Sequence, residues 1–371
     1  MILPVALGYV LLFSVLAFAA TEQWALSVAQ IAIFGLGVYC AICRPVRWSP
    51  VALALIGIVA LGVFQLAVGT TVYRFVTWNA VVNWAACLIL FLVSLEAFRD
   101  PLVRRRFLQA TLYSGLVIAI VSTLQYFTSE GAIYWMFPVA AGRPFGPFVN
   151  PDHYAAFVEL IMPLAIYEAQ RDPARSWAHM AIVGALYGSV IAGASRTGAI
   201  IVTVEILALP LLMKRPAIAG KLIAMSVVFA GLATAIVGWD TLWTRFQDMD
   251  PWRFRREIAA STLQMIGQRP WTGFGLGTYA VVYPQFASFD VGRVVDHAHN
   301  DWAEWCAEGG VPMLLILATL ALASLRQALR RSWALGIPAV FAHSLVDFPL
   351  QIPAIAFLLF TLLGTLCSGE E

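Results

Sequence analysis

Long runs of apolar residues recur from one end of the chain to the other. Runs of about 17–20 apolar residues can cross a bilayer as helices, and counting them gives about twelve candidate spans. These spans lie near residues 2–20, 24–43, 51–68, 79–97, 107–127, 153–170, 177–194, 197–213, 219–238, 309–325, 333–346 and 352–367. The pattern predicts an all-α polytopic membrane protein in which residues 1–371 form a single integral membrane domain.

Composition supports this prediction. The chain is 61% hydrophobic and only 12% charged, whereas soluble domains carry about twice as much charge. The first apolar run lacks the positive segment that precedes the core of a secretory signal. We therefore expect a retained span there, with a cleaved signal as the alternative.

The distribution of positive charge predicts an orientation. If the N-terminus is cytoplasmic, most of the 23 lysines and arginines fall in cytoplasmic connections, as the positive-inside rule requires. Both termini are then cytoplasmic, and residues 128–151 and 239–298 form periplasmic loops. We expect the longer loop to act as a lid.

One basic cluster lies on the side that this rule disfavours. Arg253, Arg255 and Arg256 fall in the 239–298 loop. The planar fork of arginine suits bidentate binding of phosphate oxygens. The alternative is an amphipathic helix over residues 251–267 that lies on lipid headgroups. The two interpretations are compatible.

Four periplasmic connections collect most of the remaining polar chemistry. They are "GRPFGPFVNPDHYAAF" with Asn150, "GASRTGA" with Arg196, "VDHAHNDWAEWCAEGG" with His299, and "HSLVDFPLQIP" with Asp347. Arg196 starts a predicted helix, where backbone N–H groups favour an anion; the alternative role is a charge that snorkels to the interface. Convergence of the four connections on one membrane face predicts a site.

His299 is the strongest candidate for a catalytic base. It lies at the start of the helix that becomes the tenth span, and a helix N-terminus favours a neutral ring that can accept a proton. Asn300, Glu304 and Glu308 follow as one polar stripe. The alternative is a solvated helix cap. We expect His297 to face elsewhere and to have a supporting role.

Three other patterns have plainer explanations. The glycines of "GFGLG" follow no βαβ strand, so a tight turn with close backbone approach is favoured over a nucleotide loop. The acids of Asp248-Met249-Asp250 could hold a metal, but a turn before a helix is the simpler interpretation. Glu159 and Glu205 lie deep in apolar spans, where ionisable groups usually have partners or tasks; the sequence identifies neither.

The chain resembles the bacterial O-antigen ligase and polymerase superfamily. The matching segments are "GPFVNPDHYAAF", "ASRTG", "RREIAASTLQMIGQRPWTGFGLGTY", "HAHNDWAEWCAEGG" and "HSLVDFPLQIP". They cover most of residues 140–355 in the family's order. Pro312 stands where the family usually has a glycine, so the local start of the helix is expected to differ.

This resemblance implies a GT-C-like transferase of the bacterial inner membrane, a class of multi-spanning glycosyltransferases. Such an enzyme moves a glycan from undecaprenyl diphosphate to an acceptor hydroxyl on a lipid, glycan or protein at the periplasmic face. It uses no metal or other cofactor, and no nucleic acid is a partner. The implied catalytic residues are His299 and Arg196, the diphosphate-binding residues are Arg196, Arg253, Arg255 and Arg256, and the supporting residues are Asn150, His297, Asn300, Glu308 and Asp347.

Two alternatives remain. A polymerase that joins lipid-linked repeat units shares the donor and the chemistry. A transporter of bicarbonate or of the lipid-linked glycan would place binding groups near the bilayer midplane, where only Glu159 and Glu205 are expected.

Overall fold

The computed structural model describes residues 2–44, 47, 49–139, 143–172, 174–212, 216–237, 253–288, 292 and 294–369. The first part of the chain contains α1 (Ile2–Leu16), a 3-10 turn (Phe18–Ala20), α2 (Gln23–Cys43), α3 (Pro50–Val68), α4 (Arg74–Ala97), α5 (Pro101–Thr128) and the antiparallel pair β1 (Ala132–Ile133) and β2 (Phe137–Pro138). The second part contains α6 (Pro151–Arg171), α7 (Ser176–Gly193), α8 (Arg196–Leu212), α9 (Pro216–Val237), α10 (Arg253–Gln268), α11 (Tyr279–Val282), α12 (Asp301–Ala328), α13 (Gly336–His343) and α14 (Pro353–Cys367). Further 3-10 turns occupy Tyr283–Gln285, Ser332–Ala334 and Pro349–Gln351.

Local sequence explains where several of these helices begin. The side chains of Ser49, Asp100 and Asn150 each accept a backbone N–H at the start of α3, α5 and α6. A proline follows each of them, which suits the first helical position because no N–H is needed there. These capped starts fix which residues lie at the ends of the bundle.

The structure supports a multi-pass membrane protein. Within the described residues, six helices are long and apolar enough to cross a membrane: α2, α3, α4, α5, α7 and α12. Five other predicted spans coincide with α1, α6, α8, α9 and α14.

The predicted span at residues 333–346 is not a full span. This stretch forms a 3-10 turn and then α13, which has 8 residues and is about 12 Å long at 1.5 Å per residue. A helix of that length cannot cross a hydrocarbon core of about 30 Å. A Cβ on Gly336 would collide with the Glu159 carbonyl, so α13 begins against the middle of α6.

α12 begins earlier than its apolar run predicts and then breaks. Asn300 caps it, and the helical path is interrupted at Gly310, where φ is 70° and ψ is −173°. The acids of the "DWAEWCAEGG" segment therefore occupy a short first half. The apolar part follows the break, close to Pro312.

Two packed regions position the site. The main core contains α6 and α14, and every residue of α14 is buried. A smaller apolar cluster joins α10, α11 and the start of α12 through Ile258, Met265, Tyr279 and Ala307. The helix predicted over residues 251–267 is present as α10 in its described part.

Candidate active site

A cavity of about 710 Å³ lies at one end of the bundle. α1 ends beside it, and α6, α10, α12 and α14 begin around it. Its polar lining consists of Thr21, Asn150, His153, Asp296, His297 and His299. Phe254 and Ile258 of α10 and Phe348 contribute much of the apolar lining. Three of the four predicted polar connections thus contribute lining residues.

The loop that carries the histidines is held by hydrogen bonds to distant segments. Asn300 accepts the N–H of Ala303 at 3.0 Å and so caps α12. The N–H of Asp301 donates to the carbonyls of Ser344 and Asp347, at 2.9 and 3.2 Å. His299 has a φ of 51°, in the left-handed region that non-glycine residues adopt rarely. These contacts bring His299 next to the loop that follows α13.

His299 and Asp347 form a hydrogen-bonded pair at the cavity. Nδ1 of His299 lies 3.0 Å from Oδ1 of Asp347, and their side chains are 33% and 2% exposed. Burial raises the pKa of Asp347, but the hydrogen bond from His299 and nearby imidazoles outweigh it and lower the pKa to about 2. An ionised carboxylate only accepts hydrogen bonds, so Nδ1 of His299 donates the proton of this bond, and Nε2 is the ring nitrogen that the pair leaves unused.

His297 lines the same cavity, so the expectation that it faces elsewhere is wrong. Its ring stacks on Phe348 with centroids 4.4 Å apart, and Nδ1 lies 2.8 Å from Oε1 of the buried Glu304. Burial lowers the pKa of His297, but the Glu304 carboxylate outweighs it and raises the pKa to about 9. His297 is therefore a cation at neutral pH.

The carboxylates in the first half of α12, which include the two acids of the predicted stripe, are not solvated. Asp301, Glu304 and Glu308 are 0%, 2% and 4% exposed. Oε2 of Glu304 accepts the N–H of Ala298 at 2.7 Å. Oδ2 of Asp301 accepts the N–H of Leu350 at 3.0 Å. These carboxylates therefore hold the loops around the cavity instead of facing solvent.

Glu308 organises the glycine-rich segment. Its Oε1 accepts the N–H of Tyr279 at 3.0 Å, and its carbonyl accepts the N–H of Gly275 at 2.9 Å. Gly273 has a φ of 60°, and a Cβ there would collide with the Glu308 carbonyl. The tight turn with close backbone approach is confirmed. Gln65 of α3, which the sequence analysis missed, also donates to the Glu308 carbonyl at 2.8 Å.

The predicted diphosphate-binding arginines occupy different positions. Arg255 donates from Nη1 to the carbonyl of Val346, the neighbour of Asp347, at 3.0 Å. Arg256 is exposed on α10. The side chain of Arg253 lies outside the described residues.

Arg196 is exposed and does not line the cavity. Ser195 caps α8 by accepting the N–H of Gly198 at 3.1 Å. A Cβ on Gly198 would collide with Ala155 of α6. α8 therefore starts beside the first turns of α6, the helix that carries His153.

Residues 180–318 match the family model described as O-antigen ligase. This match confirms the resemblance to the O-antigen ligase and polymerase superfamily. No curated protein matches the chain. Members of the O-antigen ligase family act on lipid-linked glycans, so the match supports glycosyltransferase activity of the ligase or polymerase type.

The cavity extends beyond the O-antigen ligase match. Arg196, Arg255, His299 and Glu308 lie within residues 180–318. Asn150, His153, Asp347 and Phe348 lie outside it, yet they line the cavity or pair with its histidines. The described cavity is therefore assembled from separate parts of the chain, at residues 18–21, 148–153, 254–258, 294–299 and 348–352.

His153 and His343 are buried polar groups that the list of predicted site residues lacks. His153 is 6% exposed, and its Nε2 has no hydrogen-bond partner among the described residues. Nδ1 of His343 lies 2.8 Å from Oε1 of Glu159, and both side chains are fully buried. Glu159 therefore has a partner in α13. The carboxylate oxygens of Glu205 find no hydrogen-bond partner within the described ranges.

The described part of the chain contains no group of three or more His, Cys, Asp or Glu side chains that could hold a metal ion. Asp248 and Asp250, the candidate acid pair, lie outside the described residues.

Proposed function

We propose that the protein is an inverting glycosyltransferase that moves a glycan from undecaprenyl diphosphate to an acceptor hydroxyl at the periplasmic face, without a metal. The observation that carries this proposal is the pairing of the cavity-lining His299 with the buried Asp347. Such a pair fixes the ring orientation and the tautomer of a general base, as in other carboxylate–histidine pairs.

The reaction proceeds as a single displacement. The acceptor oxygen attacks the anomeric carbon while Nε2 of His299 takes the hydroxyl proton. The bond between the anomeric carbon and the phosphate oxygen breaks, and its electron pair leaves with undecaprenyl diphosphate. The new glycosidic bond has the opposite anomeric configuration, and the imidazolium later releases its proton to water.

The leaving diphosphate gains negative charge, so fixed positive groups stabilise the transition state. His297 supplies one such charge inside the cavity, because its pKa is raised to about 9. Arg255 and Arg256 lie on the helix whose residues Phe254 and Ile258 line the cavity. Arg196 lies at the start of α8, where backbone N–H groups add to its attraction for an anion. We assign diphosphate binding to these groups.

The periplasmic assignment rests on charge. Arg171 lies at the end of α6, and His153 near the start of that helix lines the cavity. Arg104, Arg105 and Arg106 lie in the first turns of α5, and Gln125 near its other end donates to the carbonyl of Gly146, just before the cavity-lining Phe148. A basic helix end marks the cytoplasmic side.

The decisive experiment uses the purified protein in nanodiscs with an undecaprenyl-diphosphate-linked glycan and candidate acceptors. We expect transfer with inversion, unaffected by a chelator. His299→Ala and Asp347→Asn should each lower transfer by about 10²–10⁴-fold, the usual contribution of a general base. His179→Ala serves as the control, because His179 lies in α7 and does not line the cavity.

Several outcomes would contradict parts of the proposal. Transfer at the wild-type rate in His299→Ala would rule out His299 as the general base. Loss of transfer with the chelator would rule out a metal-independent mechanism. Arg196→Lys should be impaired while Arg171→Lys is not, because a point charge replaces a bidentate fork. Extension of the lipid-linked glycan without any other acceptor would identify the alternative, a polymerase. Movement of the intact donor across the bilayer without bond cleavage would identify a transporter.

A further inference from the structure

A hydrogen-bonded pair of buried side chains joins α6 to α13. Nδ1 of His343 lies 2.8 Å from Oε1 of Glu159, and both side chains are fully buried. Neither residue lines the cavity. A Cβ on Gly336, the first residue of α13, would collide with the carbonyl of Glu159. α13 therefore contacts α6 at both of its ends, through the backbone of Glu159 at its start and through the side chain of Glu159 at its end.

The pair is joined directly to the turn that carries Asp347. The carbonyl of His343 accepts the N–H of Val346 at 2.9 Å and the N–H of Asp347 at 3.1 Å. The carboxylate of Asp347 then lies 3.0 Å from Nδ1 of His299. A helix of 8 residues is too short to be stable alone, so contacts with its neighbours, among them this pair, fix where the turn lies. A continuous path of contacts thus runs from Glu159 to the ring of His299.

Stability alone explains this pair poorly. Oε2 of Glu159 and Nε2 of His343 have no hydrogen-bond partner within the part of the chain that the structure describes. A buried polar pair that is only partly hydrogen-bonded is less favourable than apolar side chains of similar volume. Its advantage is direction, because a hydrogen bond forms at one distance and angle and therefore favours one position of α13 over α6.

We propose that Glu159 and His343 are positioning residues for the general base, an inference that rests on the proposed function. Their hydrogen bond fixes the position of Asp347, and Asp347 fixes the orientation and the tautomer of His299. Neither Glu159 nor His343 touches the substrate. A displacement of about 1 Å can cost about 10²-fold in rate, so a hydrogen bond outside the cavity controls the chemical step.

Two substitutions of nearly equal length separate the hydrogen bond from packing. Glu159→Gln keeps an oxygen that accepts the Nδ1 proton of His343, whereas Glu159→Met keeps the volume and removes the acceptor. Glu159→Met leaves a buried N–H without a partner, so Glu159→Met/His343→Leu, which removes both polar groups, is measured beside it. The control is Glu168→Met. Glu168 lies further along α6, is also buried, and accepts a hydrogen bond from Gln109 of α5 at 3.1 Å.

Solid-state NMR of the protein labelled with 15N-histidine, in nanodiscs, measures the pairing without any reaction. The chain has 5 histidines, and His299→Gln assigns the Nδ1–H signal of His299. In wild type, Glu159→Gln and Glu168→Met, we expect this proton at the downfield position of an N–H bonded to a carboxylate. In Glu159→Met and in the double variant, we expect it to move upfield or to disappear.

Transfer assays on the same samples measure the consequence for the reaction. We expect Glu159→Met to lower kcat by about 10–10²-fold. KM should change by less than about twofold, because the groups that contact the substrate are intact. In an Asp347→Asn background, Glu159→Met should cost less than about twofold, because residues that act through one another are not additive. Glu159→Gln and Glu168→Met should transfer at close to the wild-type rate.

Three results would overturn the inference. They are an unchanged His299 signal in Glu159→Met and the double variant, an equal cost of Glu159→Met with and without Asp347→Asn, and an equal loss in Glu168→Met. The two proposals fail separately. If wild type transfers no glycan but the His299 signal moves in Glu159→Met, the function fails and the positioning role remains. If wild type transfers glycan and Glu159→Met keeps both the signal and the rate, the positioning role fails and the function remains.

Discussion

His297 and His299 are two residues apart, yet each is paired with a different carboxylate. His299 contacts Asp347, which lies in the loop after α13, and His297 contacts Glu304 on α12. Phe348 lies against both rings, with centroid distances of 5.0 Å to His299 and 4.4 Å to His297. The site therefore combines two imidazoles with different properties. The pair with Asp347 leaves Nε2 of His299 unused, and the pair with Glu304 gives His297 a positive charge.

The charge on His297 predicts a pH-dependent stability. The pKa of His297 is 6.5 in an unfolded reference and about 9 in the fold. Its pairing with Glu304 thus stabilises the protein fully below about pH 6.5, and this contribution is lost as the pH rises through about 9. We expect the melting temperature of the wild type to fall as the pH rises over this range, and the melting temperature of His297→Gln to fall by less.

The measurement is thermal unfolding at several pH values, with His179→Gln as the control. Only the difference between wild type and His297→Gln reports on this residue. If the melting temperatures of both proteins fall by the same amount between pH 6.5 and 9, the pairing with Glu304 does not stabilise the positive charge on His297.

At the scale of elements, the break in α12 makes room for the glycine-rich segment. Beyond Gly310, the N–H of Val311 donates to the carbonyl of Pro270 at 2.7 Å instead of to its own helix. Pro312 follows. Because proline has no backbone N–H, the break leaves one N–H group fewer without a hydrogen-bond acceptor in the helix. The departure from the family pattern at Pro312 coincides with this break. The sequence predicts a helix start beside His299, and α12 begins there, at Asp301; the apolar run near residues 309–325 corresponds to the part around and beyond the break.

Gly310→Ala should therefore destabilise the protein. The φ of 70° with a ψ of −173° lies in a region that is essentially limited to glycine, at a cost of about 1–3 kcal/mol for other residues. A Cβ would also lie 2.6 Å from the Trp271 carbonyl oxygen. We expect a lower melting temperature and reduced transfer. Gly231→Ala, in α9 with no neighbour near its Cβ, should have little effect, and an equal loss in the two variants would contradict the role of the break.

At the scale of the whole molecule, the sequence predicts contacts within a helix better than contacts between helices. Apolar runs and capping residues predict most helices, and they place His299 beside the start of α12. The pairing of His299 with Asp347, and of Glu159 with His343, depends on how α6, α12 and α13 pack. Hydropathy also cannot distinguish a buried half-length helix from a span, which explains the error at residues 333–346.

Sidedness is the property of the whole molecule on which the proposed reaction depends. In a background without the exposed Cys43, we expect Arg196→Cys and Val294→Cys to react with a membrane-impermeant maleimide in intact cells, and Arg330→Cys to react only after permeabilisation. Val294 is 84% exposed and lines the cavity, and Arg330 follows the far end of α12. The physical reason is that arginine clusters at the far ends of α5 and α12 resist translocation. Labelling of positions 196 and 294 from opposite sides would separate the proposed anion-binding arginine from the histidine pair, and a single-site transfer would then be impossible.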